Sequence, residues 1–171
     1  MFNYLAQLDA RVFTAVNSFE NSALTFLGNT AATEIGLFVI IALLALVFYW
    51  KNKKELLRFF VSFVAAAAAI TAVKFLFGRA RPIETLHIIS KLDAYPFSPS
   101  FPSFTAGQFG VLAYLLAVRF PRYRVPIFIL GFFAGFIRVY MGAHYPSDVV
   151  AGYLLGFFLP LFLHKFLRAY C

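Results

Sequence analysis

Residues 56–77 read LLRFFVSFVAAAAAITAVKFLF, and this stretch decides the fold class. Its length matches the roughly 20 apolar residues that a helix needs to cross the hydrocarbon core of a bilayer. The stretch does not alternate apolar and polar residues, as the strand of a membrane barrel would. Because a chain inside lipid must satisfy its backbone polar groups internally, the stretch predicts a membrane-spanning helix.

Four further apolar runs lie on either side of this stretch and extend the prediction to the whole chain. The sequence is 62% hydrophobic and 13% charged, which is more apolar surface than a soluble domain of 171 residues can bury. The runs predict an all-α fold, a polytopic membrane helical bundle with about five spanning helices. The four runs are about Ala31 to Trp50, Thr105 to Val118, Val125 to Met141 and Val149 to Leu163.

The N-terminal region predicts a helix of a different kind. Leu5, Leu8, Val12 and Val16 recur at helical spacing, with polar residues on the other faces. This pattern indicates a helix that lies in the membrane interface, or equally one that packs as a cap on the bundle. The region lacks the pattern of a cleavable leader, so we expect no removable signal peptide. The single cysteine, Cys171, excludes an internal disulfide and a cysteine metal cage, and it leaves the redox compartment open.

The 15 basic residues fall into separate groups once these spans are drawn. Nine lie on one side of the membrane, and six of the seven acidic residues lie on the other. Lysine and arginine concentrate in cytoplasmic loops, so the basic side is predicted to face the cytoplasm. Topology thus accounts for the net charge of +8, and we expect no nucleic-acid partner. The nine are Lys51, Lys53, Lys54, Arg58, Arg119, Arg122, Arg124, Lys165 and Arg168.

Four basic residues contradict this trend, because Lys74, Arg79, Arg81 and Arg138 lie at the outward-facing ends of spans. Lys74 and Arg81 are seven positions apart in VKFLFGRARP. This spacing predicts that both lie on one face of the helix that closes the second span. Cations at the end of a span also reach toward lipid headgroups, and this pair alone fits either role.

The outer connection between the second and third spans is the longest polar segment. It covers about residues 78–103 of a chain interpreted as one domain, residues 1–171. Its prolines prevent one continuous helix, and a loop of about twenty residues in a compact chain is usually functional. At its end Pro102 and Ser103 open the third span, where free N–H groups and a hydroxyl form an anion site. Pro-Ser also begins helices that bind no ligand.

A third cluster follows the Lys74–Arg81 pair and the Pro102–Ser103 site. It consists of Arg138, His144 and Asp148, at the outer ends of the fourth and fifth spans. Asp148 follows His144 by four residues, so its carboxylate can bond one ring nitrogen and leave the other as a nucleophile. An acid in a first helical turn is also favoured by the helix dipole alone. Asp148 and the distant Glu84 are too few carboxylates to cage a magnesium ion, so we expect no metal and no cofactor. The three clusters together suit phosphoryl transfer, in which charge stabilisation carries most of the catalysis.

These motifs resemble the type 2 phosphatidic acid phosphatase superfamily of membrane lipid phosphatases, which shares its site with vanadium haloperoxidases. Lys74 to Pro82 matches its first motif, and Arg138, His144 and Asp148 match its third. The resemblance covers about half of the chain and implies a metal-free reaction through a phosphohistidine on His144, with Asp148 positioning it. The phosphate contacts that it implies come from Lys74, Arg81, Ser103, Phe104, Thr105 and Arg138.

The second motif departs from the family pattern. The family usually has proline-serine-glycine-histidine, whereas this chain has Pro102, Ser103, Phe104 and Thr105. The missing histidine protonates the departing oxygen in the family. A phosphate monoester, with a second pKa of about 6, departs with little help, whereas an alkoxide needs a proton. We therefore expect a preference for lipid pyrophosphates such as undecaprenyl pyrophosphate, or for the sugar-1-phosphate of lipid A, which is intermediate.

His87 offers a second explanation for the missing histidine. In this explanation the outer loop folds back and His87 supplies the proton to the leaving oxygen. Alternatively, His87 is an ordinary loop residue without a role in catalysis. Ile137 stands where the family often has a serine before the third-motif arginine.

Three further functions compete with this prediction. The chain is alternatively a phosphatidylglycerophosphate or phosphatidate phosphatase, or a membrane protein that binds lipid phosphate without turnover because Thr105 replaced the histidine. A transporter or channel is disfavoured, because the five runs show no charge at mid-span. The small size favours a bacterial plasma (inner) membrane, with the site facing the periplasm or cell exterior. The sequence leaves the particular lipid and the oligomeric state open.

Overall fold

The computed structural model describes residues 2–30, 34–49, 51–86, 88, 90–93 and 97–170. These residues form helices joined by turns and loops, with no strand among them. The helices are α1 (Phe2–Asn17), α2 (Ser22–Thr30), α3 (Glu34–Tyr49), α4 (Lys53–Phe77), α5 (Pro82–Thr85), α6 (Phe104–Arg119), α7 (Arg124–Tyr140) and α8 (Pro146–Tyr170). A 3-10 turn over Pro121–Tyr123 connects α6 to α7.

The five predicted spans correspond to α3, α4, α6, α7 and α8, so the prediction of an all-α membrane bundle is confirmed. Three segments are long and apolar enough to cross a membrane, and α6, with 16 residues, is a shorter apolar helix. The three segments are Lys53–Thr85, Pro121–Tyr140 and Pro146–Lys165. The chain is therefore an integral membrane protein built from helices.

The N-terminal helix combines the two arrangements that its sequence left open. Asp9 and Phe13 on α1 are buried against the bundle, whereas Leu5, Leu8 and Val12 are exposed. The helix therefore packs as a cap and also presents an apolar face outward. The short helix α2, which follows it, was not predicted.

Lys91 fastens the end of α1 to the outer loop. Its Nζ donates to the carbonyl oxygens of Asn17 at 2.5 Å and Phe19 at 2.6 Å, and it lies 4.0 Å from the centroid of the Tyr140 ring. Asn17 also donates from Nδ2 to the carbonyl oxygen of Tyr140 at 2.9 Å. These contacts hold the turn after α1 against the outer end of α7.

Glycines bring α6 and α8 into close contact at the centre of the bundle. A Cβ atom at Gly156 would overlap the carbonyl oxygen of Gly107, and one at Gly152 would overlap that of Ser103. Small residues let two membrane helices approach until their backbones touch. The approach continues to the helix ends, where Ser103 N–H donates to the carbonyl oxygen of Asp148 at 2.9 Å. The start of α6 and the start of α8 are thus held together.

The prediction that Lys74 and Arg81 share one helical face is wrong. α4 ends at Phe77, because Gly78 adopts the left-handed conformation with φ of 57° and its N–H donates to the carbonyl oxygen of Lys74. Arg81 lies beyond this stop, in extended conformation before the proline that begins α5. The two cations are brought together by the chain reversal after α4.

Candidate active site

Lys74 and Arg81 point to one region of the outer loop although they are not on one helix. Lys74 Nζ donates to the carbonyl oxygen of Pro99 at 2.5 Å, and Arg81 Nη2 reaches the same oxygen at 3.5 Å. Arg81 Nη1 also donates to the carbonyl oxygen of Ala143 at 2.7 Å, directly before His144. Lys74 is 4% exposed and Arg81 is 2% exposed, so both charges are withdrawn from water.

The remaining predicted contacts lie at the outer ends of α6 and α7. Arg138 is in the last turn of α7 and is 5% exposed. Ser103 is the N-cap of α6, where its Oγ accepts from the N–H of Ala106 at 3.4 Å. Phe104 and Thr105 are the first residues of α6, and the Thr105 side chain is fully buried. The helix that the sequence placed after Pro102 is therefore present, with its N-terminus inside the protein.

Burial makes this cluster of cations favourable for an anion. Lys74, Arg81 and Arg138 are all buried, and the described bonds of Lys74 and Arg81 include several to carbonyl oxygens. Positive charges withdrawn from water attract an anion more strongly than exposed charges do, because the surroundings screen them less. A phosphate group, with a high charge and several acceptor oxygens, suits such a set of donors.

Asp148 is held by three donors beside His144. Its Oδ1 accepts from Arg79 Nη1 at 2.6 Å, and its Oδ2 accepts from the N–H of Tyr145 at 2.9 Å and from the hydroxyl of Ser100. His144 Nδ1 lies 3.7 Å from Oδ2, which is longer than a hydrogen bond, and this nitrogen has no hydrogen-bond partner among the described residues. The expected histidine-aspartate pair is therefore adjacent but not bonded, since Oδ2 is already occupied by two other donors.

The surroundings of His144 keep its ring neutral. Burial lowers the pKa of His144 from 6.5 to about 3, because the imidazolium would lose its hydration. This pKa already includes the effect of Asp148, which raises it, and of the guanidinium charges of Arg81 and Arg138, which lower it. A neutral imidazole carries a free lone pair, so His144 has the protonation state that a nucleophile needs.

We expect acid to destabilise the protein more steeply than it destabilises a His144→Gln variant. The pKa of His144 is lower in the folded than in the unfolded protein, so protons bind preferentially to the unfolded state. The resulting loss begins below pH 6.5, continues to about pH 3 and is at most about 1.4 kcal/mol per pH unit. Melting temperatures of both proteins in detergent, measured from neutral to mildly acidic pH, test this. A difference between the two that does not change with pH would contradict a buried neutral His144.

Sequence reasoning missed four residues of this site, Asp9, Arg79, Ser100 and Tyr145. Arg79 carried a signal, since it belongs to the outward-facing cations that topology leaves unexplained. The others gave none, because Asp9 lies 139 positions from Asp148 and backbone or hydroxyl donors have no characteristic spacing.

Two further expectations concern a proton donor and a metal site. His87 lies outside the described residues, so its role as proton donor stays a prediction. In the part of the chain that the structure describes, no three His, Cys, Asp or Glu side chains are grouped to hold a metal ion.

Known proteins resemble this chain in sequence and in fold. Residues 55–170 match the family model of the PAP2 superfamily. A lipid A 1-phosphatase of Rhizobium etli is 38% identical over 98 residues, which cover 54% of this chain and 42% of that protein. An undecaprenyl-diphosphatase of Sulfolobus acidocaldarius is 29% identical over 123 residues, which cover 69% of this chain and 58% of that protein. A crystal structure of a PAP2-type phosphatidylglycerolphosphate phosphatase from Bacillus subtilis has a TM-score of 0.76 at 22% identity, covering 98% of this chain and 88% of that one.

The fold and the site define a helical membrane protein with a buried, cation-rich histidine centre at one end of its bundle. The chain belongs to the PAP2 superfamily, because the family model matches more than half of its length. This confirms the family inferred from the first and third motifs. The chain spans about two fifths of the length of the lipid A 1-phosphatase that it matches. The likeness to the Bacillus subtilis structure, at 22% identity, concerns the fold.

Proposed function

We propose that this protein removes phosphate from a phosphorylated or pyrophosphorylated lipid, with His144 as the nucleophile. The observation that carries the proposal is the buried imidazole of His144, which lies beside the carboxylate of Asp148 and whose pKa is lowered by burial and by the charges of Arg81 and Arg138. A protein that only binds phosphate needs cations and amides, but it does not need an unprotonated nucleophile among them. The names of the lipid A 1-phosphatase and the undecaprenyl-diphosphatase support a lipid substrate.

The reaction would proceed in two steps. Lys74, Arg81 and Arg138 bind the phosphate oxygens, and Nε2 of His144 attacks phosphorus while the bond from phosphorus to the leaving oxygen breaks. A pyrophosphate then releases the lipid monophosphate as an anion, whereas a monoester releases the lipid alkoxide, which takes a proton from water. Asp148 holds the proton on Nδ1 and stabilises the positive charge that the ring gains. A water molecule then attacks the phosphohistidine, the nitrogen-phosphorus bond breaks, and inorganic phosphate leaves as His144 returns to its neutral form.

Asp148 needs only a small displacement for this role. The gap of 3.7 Å between His144 Nδ1 and Oδ2 exceeds a hydrogen bond by less than 1 Å. Catalytic hydrogen bonds are often long before substrate binds and shorten in the complex. A positive charge that develops on the ring attracts the carboxylate and closes this distance.

Thr105 favours substrates whose leaving group needs little protonation. It occupies the position at which the family usually has the proton-donating histidine, and its hydroxyl is a poor acid at neutral pH. A lipid pyrophosphate releases a phosphate monoester, which departs as a stable anion. Undecaprenyl pyrophosphate is therefore our first candidate substrate, and the sugar-1-phosphate of lipid A is the second.

The site is expected to face the periplasm or the cell exterior. It lies where α4 ends and α6 and α8 begin, whereas Arg119, Arg122 and Arg124 lie at the opposite ends of α6 and α7. Basic loops favour the cytoplasmic side of a bacterial plasma membrane, which leaves the site on the outer side.

Phosphate release in detergent, with a chelator present and no added metal, tests the proposal. We expect release from undecaprenyl pyrophosphate and lipid A 1-phosphate, with undiminished rates in the chelator, because the proposed nucleophile and cations are all side chains of the chain. The assay also measures release from phosphatidylglycerophosphate and phosphatidate, so that the rates on all candidate substrates can be compared under the same conditions. Binding of these lipids without any release would contradict the enzyme and support the non-catalytic alternative.

A further inference from the structure

Arg79 connects two carboxylates that are far apart in the sequence. Its Nη1 donates to Oδ1 of Asp148 at 2.6 Å, and its Nη2 donates to Oδ2 of Asp9 at 2.7 Å. Asp148 is in the first turn of α8, and Asp9 is at the middle of α1. One guanidinium thus joins the N-terminal helix to the carboxylate beside His144.

Asp9 holds this guanidinium in place and also caps α8. Its Oδ1 accepts from the N–H of Ser147 at 2.9 Å, and its Oδ2 accepts from the hydroxyl of Ser147 at 2.5 Å. A carboxylate at the first turn of a helix is stabilised by the free N–H groups and the dipole there. Asp9 is 9% exposed, and the described contacts engage both of its oxygens. A charge-assisted set of this kind is stiff because neither partner can turn without losing bonds.

Arg79 constrains both carboxylate oxygens of Asp148, one through its side chain and one through its backbone. Its guanidinium carbon lies 4.1 Å from the centroid of the Tyr145 ring, and that ring packs against Phe13 of α1. The main-chain oxygen of Arg79 accepts from the N–H of Ser100. The hydroxyl of Ser100 in turn donates to Oδ2 of Asp148. The side chain of Arg79 thus fixes Oδ1, and its backbone helps to place the donor to Oδ2.

We propose that Arg79, held by Asp9, is a positioning residue that sets the orientation of Asp148 toward His144. This inference rests on the proposed function, since it assigns Asp148 the task of stabilising the His144 ring. With Oδ1 bound to Arg79, the carboxylate presents Oδ2 to His144 Nδ1 at 3.7 Å. Without Arg79 the carboxylate keeps only the two donors to Oδ2, from Tyr145 and Ser100, so its orientation is held less firmly, and it loses a full opposing charge. Asp9 lies outside residues 55–170, so the N-terminal helix contributes a contact from outside the region that matches the family model.

Four variants test this role by steady-state kinetics on the best substrate of the release assay. We expect Arg79→Gln to lower kcat by roughly 10- to 100-fold while KM and the inhibition constant of inorganic phosphate change less than about threefold. Arg79→Lys retains one charged donor and should recover part of the lost kcat. Asp9→Asn should lower kcat less than Arg79→Gln, and the double variant should be no slower than Arg79→Gln, because Asp9 acts through Arg79.

Lys91→Gln is the matched control. Lys91 is another outer cation that ties α1 to the rest of the protein, but the described contacts of its Nζ are with Asn17, Phe19 and Tyr140. We expect kcat of this variant to stay within about threefold of wild type. An equal loss in Lys91→Gln and Arg79→Gln would show that Arg79 merely docks α1, and it would overturn the proposal. So would a loss of kcat matched by weaker inhibition by phosphate, which would make Arg79 a phosphate ligand.

A second measurement separates this inference from the proposed function. Melting temperatures of Asp9→Asn, Arg79→Gln and the double variant report whether the two side chains act as one unit. We expect the double variant to melt no lower than the less stable single variant. An inactive wild type with this coupling would contradict the proposed function but retain the Asp9–Arg79 unit. If the melting-temperature losses of Asp9→Asn and Arg79→Gln add in the double variant and their factors of lost kcat multiply, the two residues act independently. That result would overturn the inference whichever substrate the protein uses.

Discussion

Replacing His144 with alanine is expected to lower phosphate release by a factor of about 10⁴ or more. The substitution removes the atom that attacks phosphorus, and in the described structure the other polar side chains of the site are cations, hydroxyls and the carboxylates of Asp9 and Asp148. Those groups can still bind the lipid phosphate and polarise it, but they lack a neutral nitrogen at that position. We therefore expect substrate binding to be retained while turnover is lost.

His164→Ala is the matched control for this experiment. His164 lies near the opposite end of α8, about 20 residues from His144, and so at the far side of the bundle. We expect wild-type turnover from this variant. A pulse of ³²P-labelled lipid, quenched in base, provides a second readout, since a phosphohistidine survives base and decomposes in acid. Retention of ³²P by wild type and His164→Ala, with none in His144→Ala, would support a phosphohistidine on His144. Retention of ³²P by His144→Ala would exclude it.

A lipid pyrophosphate is expected to turn over at least about 100-fold faster than phosphatidate, as measured by kcat/KM in mixed detergent micelles. The difference follows from Thr105. A positioned general acid accelerates the loss of a poor leaving group by about 10²- to 10⁴-fold, and a good leaving group gains much less from it. Equal values of kcat/KM for the two lipids would contradict this account of the second motif.

Thr105→His tests the same account from the opposite direction. Thr105 is buried at the start of α6, beside the N-cap Ser103, so an imidazole placed there lies in the site. We expect the variant to gain on phosphatidate while it changes little on the pyrophosphate, so that the selectivity falls. Thr105→Asn supplies a polar side chain without a suitable acid and should keep the original selectivity. A gain in both variants would assign the effect to shape instead of proton donation.

The fold was largely predictable because the bilayer imposes strong rules on sequence. Five apolar runs predicted five helices, and the helices occur at those places. The end of α4 was misplaced because the apolar run passes straight into VKFLFGRARP, and periodicity alone could not weigh the helix-stopping effect of Gly78. A glycine near the end of a helical run is a recognised stop signal, so this part of the error was avoidable.

The site was predictable only where its residues are close in sequence. The spacing of His144 and Asp148, four positions apart across the start of α8, indicated that the two side chains are neighbours, as they are. The tie from Asp9 to Arg79 joins residues 70 positions apart on different elements. No local pattern encodes such a contact, because it depends on how α1 packs against the bundle. The orientation of Asp148 toward Arg79, Ser100 and Tyr145 likewise follows from tertiary structure.

The backbone contacts between α6 and α8 separate positions on α8 that tolerate a larger side chain from positions that do not. Gly107 and Gly156 lock the register of the two helices, and no side chain larger than hydrogen fits at Gly156. Leu154 and Phe158 lie on the outer face of α8 and take no part in that lock. A substitution at such an outer position changes the surface of α8 and leaves its contact with α6 unchanged. The reacting groups keep their spacing throughout, because it is set by main-chain atoms that mutation does not alter.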